Sequence, residues 1–140
     1  MIKIKVKKLH PDAKLPEFAH SGDAGMDLFA LETTVVKPGE IARVRSGISL
    51  EIPKGFVGLC WDKSGLSMKS GIKVVGGVID SGFRGEFIMG LINLGKESYT
   101  FEKGHKVMQM LIQKVEHPNI VEVEELSETK RGAGFGSSGK

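Results

Sequence analysis

Short runs of β-branched and other apolar residues recur along this chain, separated by turns that contain glycine or proline. The run near the N-terminus alternates Ile2, Ile4 and Val6 with lysines, as in a strand that has one polar face. The later runs span 33–36, 41–52, 56–61, 72–75, 86–94, 98–101, 106–115 and 120–123. Many short strands at this spacing predict an all-β fold, as a sandwich, jelly roll or barrel. Only 64–70 is expected to form a helical turn, with Ser64 as its N-cap.

The composition is that of one ordinary globular domain of 140 residues with 40% hydrophobic and 26% charged residues. A net charge of +3 is too small for a duplex nucleic-acid binder but favours a small anionic substrate. Cys60 is the only cysteine, which excludes an internal disulfide and indicates a reducing compartment. Its apolar neighbours favour a buried structural thiol. With no apolar stretch of membrane-spanning length, we expect a soluble, cytoplasmic protein that has no membrane partner.

Two segments in the first half of the chain carry residues suited to chemistry. In 21–29, Asp27 opens a strand after a loop of small residues, and it either binds the hydration shell of a metal or caps the turn. In 62–69, Ser64 and Gly65 offer backbone N–H groups and a hydroxyl, and Lys63 adds a positive charge. This second segment predicts either an anion site or a plain capped helical turn.

Two further segments lie in the second half. In 76–86, a Gly-Gly pair precedes a predicted hairpin in which Asp80 is the candidate general base and Phe83 a wall beside it. The alternative is a type I turn headed by Asp80. In 104–111, Gln109 is a lone amide among apolar residues, so its partner is either a ligand or neighbouring backbone.

The last segment, 131–140, combines glycines, serines and cations around one aromatic residue, Phe135. Glycine N–H groups, hydroxyls and cations form phosphate-binding loops, and an aromatic ring can stack on a base. The segment is interpreted as a flexible arm that closes over a nucleotide, against the alternative of a solvated terminus. Because the composition becomes polar and glycine-rich at Ser127, we expect a β-domain over 1–126 and an arm over 127–140.

In this order the five segments resemble the five motifs of the trimeric dUTPases, and the match spans 21–139. The motif-like stretches are 24–28, 63–66, 77–86, 104–109 and the glycine-rich tail. The resemblance implies a distorted, jelly-roll-like β-barrel and a homotrimer with shared active sites. It also implies a dUTP diphosphatase, in which water attacks the α-phosphorus of dUTP and Mg²⁺ is held by the triphosphate.

The resemblance assigns a role to each matching residue. Asp80 would deprotonate the water, Asp27 would hold the water shell of the metal, and Phe83 would exclude a 2′-hydroxyl. The phosphates would be bound by Lys63, Ser64, Gly65 and Gln109. The main chain of Val75, Gly77, Val78 and Ile79 would read uracil, and Arg131, Phe135, Gly136 and Ser137 would act from the arm.

Some positions depart from the family pattern. Lys63 replaces the usual arginine, Phe83 the usual tyrosine, and His105-Lys106 an Asp-Arg pair. The spacing from Phe135 leaves Lys130 and Arg131 as alternatives for the cation at the γ-phosphate.

Two other functions are compatible with such a scaffold. A dCTP deaminase shares the fold but carries a catalytic glutamate where this chain has Gly90. A nucleotide-dependent regulatory protein is the other alternative, although it would need neither Asp80 nor the arm.

Overall fold

The structure, a computed structural model, describes residues 1–130; the predicted tail residues Arg131, Phe135, Gly136 and Ser137 lie outside this range. Within it, strands dominate and a single short helix is present. The strands are β1 Lys5–Lys8, β2 Met26–Phe29, β3 Thr34–Val36, β4 Ile41–Arg45, β5 Ile48–Glu51, β6 Phe56–Trp61, β7 Ile72–Val74, β8 Val78–Ile79, β9 Ile88–Asn93, β10 Tyr99–Phe101 and β11 Lys106–Lys114, and the helix is α1 Ser64–Ser70.

The strands form four sheets in which all pairs are antiparallel. The largest sheet has the order β2-β11-β6-β8, a second has the order β4-β9-β7, and β1-β5 and β10-β3 form two-stranded sheets. The predicted all-β, jelly-roll-like fold is confirmed, but the barrel is not closed. Over residues 1–130, no helix is long and apolar enough to cross a membrane.

Alternating side chains of the strands build one core between the sheets. In β9, Met89 and Leu91 are completely buried, whereas Ile88 is exposed and Gly90 half-buried. Residues of the β2-β11-β6-β8 sheet belong to the same hydrophobic cluster, among them Leu28 and Met110. Full burial of a side chain of this size stabilises the fold by about 1.5–3 kcal/mol.

Three strand predictions need correction. The predicted strand 41–52 is broken at Ser46-Gly47, because Gly47 adopts a φ of 68° that ends β4 and turns the chain into β5. The first strand is β1, Lys5–Lys8, shifted toward the C-terminus from the Ile2–Val6 alternation. The segment 120–123 forms no strand; Ile120 is 96% exposed and no neighbouring strand is paired with it in residues 1–130.

Candidate active site

Strand pairing brings the first, second and fourth motif-like segments together. The central strand β11 pairs with β2 on one side and with β6 on the other, so that Gln109 faces both Asp27 and Trp61 across the sheet. Because β6 ends at Trp61 and α1 begins at Ser64, Lys63 lies at the same end of the sheet.

Asp27 lies at the centre of this cluster, with only 2% of its surface exposed. Lys63 Nζ donates a hydrogen bond to Asp27 Oδ1. Lys106 Nζ forms an ion pair with Asp27 Oδ2 at 2.7 Å. The angles of this contact are not those of a hydrogen bond, so Oδ2 has no hydrogen-bond partner in the described part of the chain. Burial raises the pKa of Asp27, but attraction to Lys106 and Lys63 outweighs burial and holds this pKa below its usual range. The carboxylate is therefore a buried counter-ion for two lysines.

This arrangement bears on the predicted role of Asp27 at the water shell of a metal. Each carboxylate oxygen faces a lysine ammonium group, and the side chain is 4% exposed. A hydrated cation approaching it would meet two positive charges before it met the carboxylate. Asp27 and its two lysines therefore do not fit the role of holding the water shell of a metal, which stays a prediction. Residues 1–130 contain no cluster of His, Cys, Asp and Glu able to hold a metal ion.

A cavity of about 540 Å³ opens beside this cluster. Its lining includes the predicted phosphate-binding residues Lys63, Ser64, Gly65 and Gln109, and also Lys69. Lys69 was missed in the sequence, although a spacing of four residues from Gly65 places it on the same side of α1. The cavity is thus lined by two cations and the first turn of α1.

The start of α1 differs from the prediction. Lys63, with φ −83° and ψ 118°, is the N-cap residue and makes no side-chain capping bond, so Ser64 is the first helical residue and not the cap. The first helical bond runs from Ser67 N–H to the Lys63 carbonyl. The N–H groups of 64–66 therefore have no partner within the helix, and the Ser64 hydroxyl is not used for capping.

Of the two predicted partners for Gln109, a ligand or neighbouring backbone, the structure shows neighbouring backbone. Its Nε2 donates to the Asp62 carbonyl at 2.9 Å, which fixes the corner between β6 and α1. On its other side, a Cβ built on Gly25 would lie 2.6 Å from Gln109 Oε1, so a larger residue there would displace the Gln109 side chain. The amide is a positioned part of the cavity wall.

The third motif-like segment does not form the predicted hairpin: β7 pairs with β9 in another sheet, and in the described residues β8 pairs only with β6. Gly76 and Gly77 adopt φ values of 76° and 119°, and the Gly77 carbonyl accepts a hydrogen bond from Cys60 N–H at 2.8 Å. β8 then pairs with β6 through Val78 opposite Leu59 and Ile79 opposite Gly58.

After β8 the chain turns at Asp80. The Phe83 N–H donates to the Asp80 carbonyl at 3.1 Å, so the turn headed by Asp80 is present. Both side chains are exposed, Phe83 by 39%. This exposure leaves the Asp80 carboxylate available to a ligand.

The Asp80 turn lies far from the cavity within one chain. The antiparallel register of β8 and β6 continues from Gly58–Ile79 to place Asp80 beside Val57, whereas Gln109 pairs with Trp61. Four residues of strand span about 13 Å. Neither Asp80 nor Phe83 lines the cavity, so the predicted site residues fall into two separate groups.

Polar contacts that the sequence analysis missed fix the loop after Asp80. Glu86 accepts hydrogen bonds from Arg45 Nε and Nη2 at 3.1 and 3.2 Å and from Gly47 N–H at 3.0 Å. Ser49 Oγ donates to the Arg84 carbonyl at 2.6 Å. No local sequence pattern reveals these pairs, because they join residues about 40 positions apart.

Cys60 lies in β6 next to Gly77, whose carbonyl accepts its N–H. Burial raises the pKa of its thiol to about 12, so the thiol is protonated at neutral pH. The prediction that it is structural, and not a nucleophile, agrees with this protonation state.

The comparisons with known proteins identify one family. The dUTPase family model matches residues 11–139. A deoxyuridine 5′-triphosphate nucleotidohydrolase of Alkaliphilus metalliredigens is 49% identical over 142 residues, covering 99% of each chain. Its counterpart of Clostridium tetani is 46% identical, covering 98% of this chain and 97% of the relative.

Solved structures lead to the same family. A variant dUTPase of Staphylococcus bacteriophage 80alpha with dUpNHpp superposes with a TM-score of 0.92 at 33% identity, covering 99% of each chain. A variant dUTPase from phage phi11 of S. aureus, described with a structural Mg(II) ion, gives a TM-score of 0.83 at 28% identity over 89% of this chain and 98% of its own.

Proposed function

The chain belongs to the dUTPase family, and on that premise we propose that it hydrolyses dUTP to dUMP and pyrophosphate. The observation that carries the proposal is the cavity beside Asp27, in which Lys63, Lys69 and the first turn of α1 converge. Cations and unpaired N–H groups suit the triphosphate of a nucleotide.

The triphosphate would lie across Ser64, Gly65 and Gln109. Asp27 holds Lys63 at the cavity wall, where its ammonium group meets a phosphate without being repositioned. A positively charged site that is already organised stabilises the charge of phosphoryl transfer at no reorganisation cost. Mg²⁺ would arrive bound to the triphosphate and neutralise part of its charge.

In the proposed reaction, Asp80 accepts a proton from a water molecule whose oxygen bonds to the α-phosphorus, and the bond from that phosphorus to the bridging oxygen breaks. Pyrophosphate leaves with the bonding electron pair. The exposed carboxylate of Asp80, placed by the Asp80–Phe83 turn, is the candidate base. The main chain of Val75, Gly77, Val78 and Ile79 would read uracil, and Phe83 would exclude the 2′-hydroxyl of a ribonucleotide.

The separation of the two groups supports the proposal of a homotrimer with shared sites. Because Asp80 lies about 13 Å along the sheet from the position of Trp61 and Gln109, a second subunit would bring its 75–83 segment to the cavity of the first. Exposed apolar residues outside the core, such as Ile120, Val121 and Leu126, suit burial between subunits. The arm 127–140 would close the site, with Lys130 or Arg131 at the γ-phosphate and Phe135, Gly136 and Ser137 around the nucleotide.

The competing functions receive less support. A Cβ at Gly90 would lie 3.1 Å from the Val75 carbonyl, so the glutamate of a deaminase would not fit there without movement of the backbone. A purely regulatory nucleotide-binding protein would not need the exposed Asp80 turn. A lone cysteine agrees with a reducing cytoplasm, which we propose as its location.

A panel of dUTP, dCTP, dTTP and UTP, assayed with Mg²⁺ for pyrophosphate and ammonia, tests the function. We expect pyrophosphate from dUTP with a kcat/KM well above that for the other nucleotides, and no ammonia from dCTP. Ammonia release would identify a deaminase. Comparable turnover of UTP or dCTP would contradict the assigned substrate.

A further inference from the structure

Gly90 stands in the middle of β9, a strand paired on both sides, with Arg43 opposite it in β4. Glycine weakens a strand interior by about 0.5–1 kcal/mol relative to alanine. Its φ is not among the positive values found in this chain, so the backbone conformation does not require glycine here. The remaining reason for a glycine inside a strand is the close approach of another chain segment.

That segment is Val75. A Cβ built on Gly90 would lie 3.0 Å from Val75 Cγ2 and 3.1 Å from the Val75 carbonyl oxygen. The Val75 N–H also donates to the Gly90 carbonyl at 3.1 Å. The side chain of Val75 can rotate away from an added methyl group, but its carbonyl can move only with the backbone.

Val75 is the point at which the chain leaves one sheet for the other. β7 ends at Val74 against β9, and three residues later the Gly77 carbonyl accepts the bond from Cys60 in β6. Residues 75–77 are therefore bonded to both sheets. A small cavity of about 30 Å³, lined by residues that include Cys60, Val75 and Gly90, lies beside them.

From this geometry we propose that Gly90 is a positioning residue for nucleotide specificity. Its missing side chain lets Val75 lie directly on β9, and this contact sets where the backbone of 75–79 stands. The inference rests on the proposed function, in which that backbone distinguishes uracil from cytosine. In this proposal Gly90 touches no substrate and acts only through Val75 and the backbone that follows it.

The test compares Gly90→Ala with Ile92→Ala, which lies two residues farther along the same face of β9, opposite Lys73 and away from Val75. The first variant adds bulk at Val75, and the second lowers stability without filling that space. Thermal unfolding places both variants on one stability scale. Values of kcat and KM are measured for dUTP and dCTP.

We expect Gly90→Ala to raise KM for dUTP by about 3- to 10-fold, with a smaller change in kcat, because a shift of a few tenths of an ångström misplaces the base contacts. The preference for dUTP over dCTP in kcat/KM should fall, and the Val75 amide should exchange with solvent faster. Ile92→Ala should keep the wild-type preference.

The outcomes separate the two proposals. If the wild type prefers dUTP and Gly90→Ala keeps the same KM, preference and Val75 exchange rate, the role of Gly90 is wrong while the proposed function stands. An equal loss of preference in Ile92→Ala would also overturn it, because the effect would then follow stability. If the wild type itself shows no preference for dUTP, the proposed function fails and this inference fails with it.

Discussion

One carboxylate organises the cavity at the scale of single residues. Asp27 comes from β2, Lys63 from the end of the β6–α1 connection, and Lys106 from the first residue of β11. The three side chains carry a net charge of +1, so the pair of lysines keeps a surplus positive charge for an anionic ligand while the buried carboxylate stays compensated. The sequence showed each residue separately, but it did not show that they meet.

Asp27→Asn should lower the free energy of unfolding at neutral pH by about 3 kcal/mol, the lower end of the cost of breaking a buried ion pair, because both lysines can turn toward solvent. Since the pKa of Asp27 is lowered from its ordinary value of 3.8, its stabilisation is complete above that pH and is lost as the pH falls through the lower folded value. The difference between wild type and variant should therefore shrink below pH 3.8. Urea unfolding at several pH values measures it.

A matched control for this variant is Asp12→Asn, which breaks the exposed pair of Asp12 with Lys103. It should cost much less than Asp27→Asn, because both partners of this pair are exposed to solvent. Equal costs for the two variants would show that Asp27 is not the buried counter-ion described here.

Asp80→Asn should lower kcat by about 10²–10⁴-fold and leave KM for dUTP nearly unchanged, because the amide cannot accept the proton of the attacking water. Initial rates of pyrophosphate release measure both constants. Asp12→Asn serves again as the control, since Asp12 does not line the cavity. A variant with wild-type kcat would remove Asp80 from the reaction.

At the scale of elements, apolar, β-branched runs bounded by turn residues predicted most strands, whereas the period-two alternation at the N-terminus placed the first strand too early. The short strands β2 and β8 and the break at Ser46-Gly47 were harder to predict. β2 is buried on both faces and β8 spans only two residues, so neither alternates clearly. Contacts such as Arg45–Glu86 depend on which segments pack together in the fold, and a local pattern in one sequence does not show this packing.

The end of α1 offers a test of local packing. Gly71 follows the helix with a φ of 69°, and a Cβ there would lie 2.5 Å from Gly95 N. Gly39 has a similar φ of 77°, but a Cβ at that position would meet no atom within 4 Å. Gly39→Ala should thus cost about 1–2 kcal/mol for the left-handed conformation alone. Gly71→Ala should cost more in urea unfolding, since it also pushes apart the turn beside the cavity; equal costs would contradict this packing.

At the scale of the whole molecule, the described residues carry the two proposed half-sites, a cavity for the phosphates and the 75–83 segment for base and sugar. The family resemblance supplied the idea of a shared site, whereas the strand register supplies the physical reason for it. The pairing of β8 with β6 holds Ile79 beside Gly58, away from the end of β6 at which the cavity lies. Assembly is therefore a condition of activity in this account.

The predicted arm is tested by deleting residues 131–140. The deletion should lower kcat/KM strongly, because phosphate contacts and exclusion of water are lost together. Phe135→Ala should lose about 1–3 kcal/mol of base stacking, measured as the change in kcat/KM. Thermal unfolding should be unchanged in both, since the core lies within the described strands. Full activity after deletion would make the segment an ordinary terminus.

The shared site is tested most directly by complementation between subunits. Lys63→Gln impairs the cavity and Asp80→Asn removes the base, so each variant alone should be nearly inactive toward dUTP. Co-expressed with different tags and purified as mixed assemblies, they should regain about a third of wild-type kcat, because each ring of three that holds both variants forms one site from two intact halves. Activity no greater than that of the two variants alone would show that both halves come from one chain, contrary to this account.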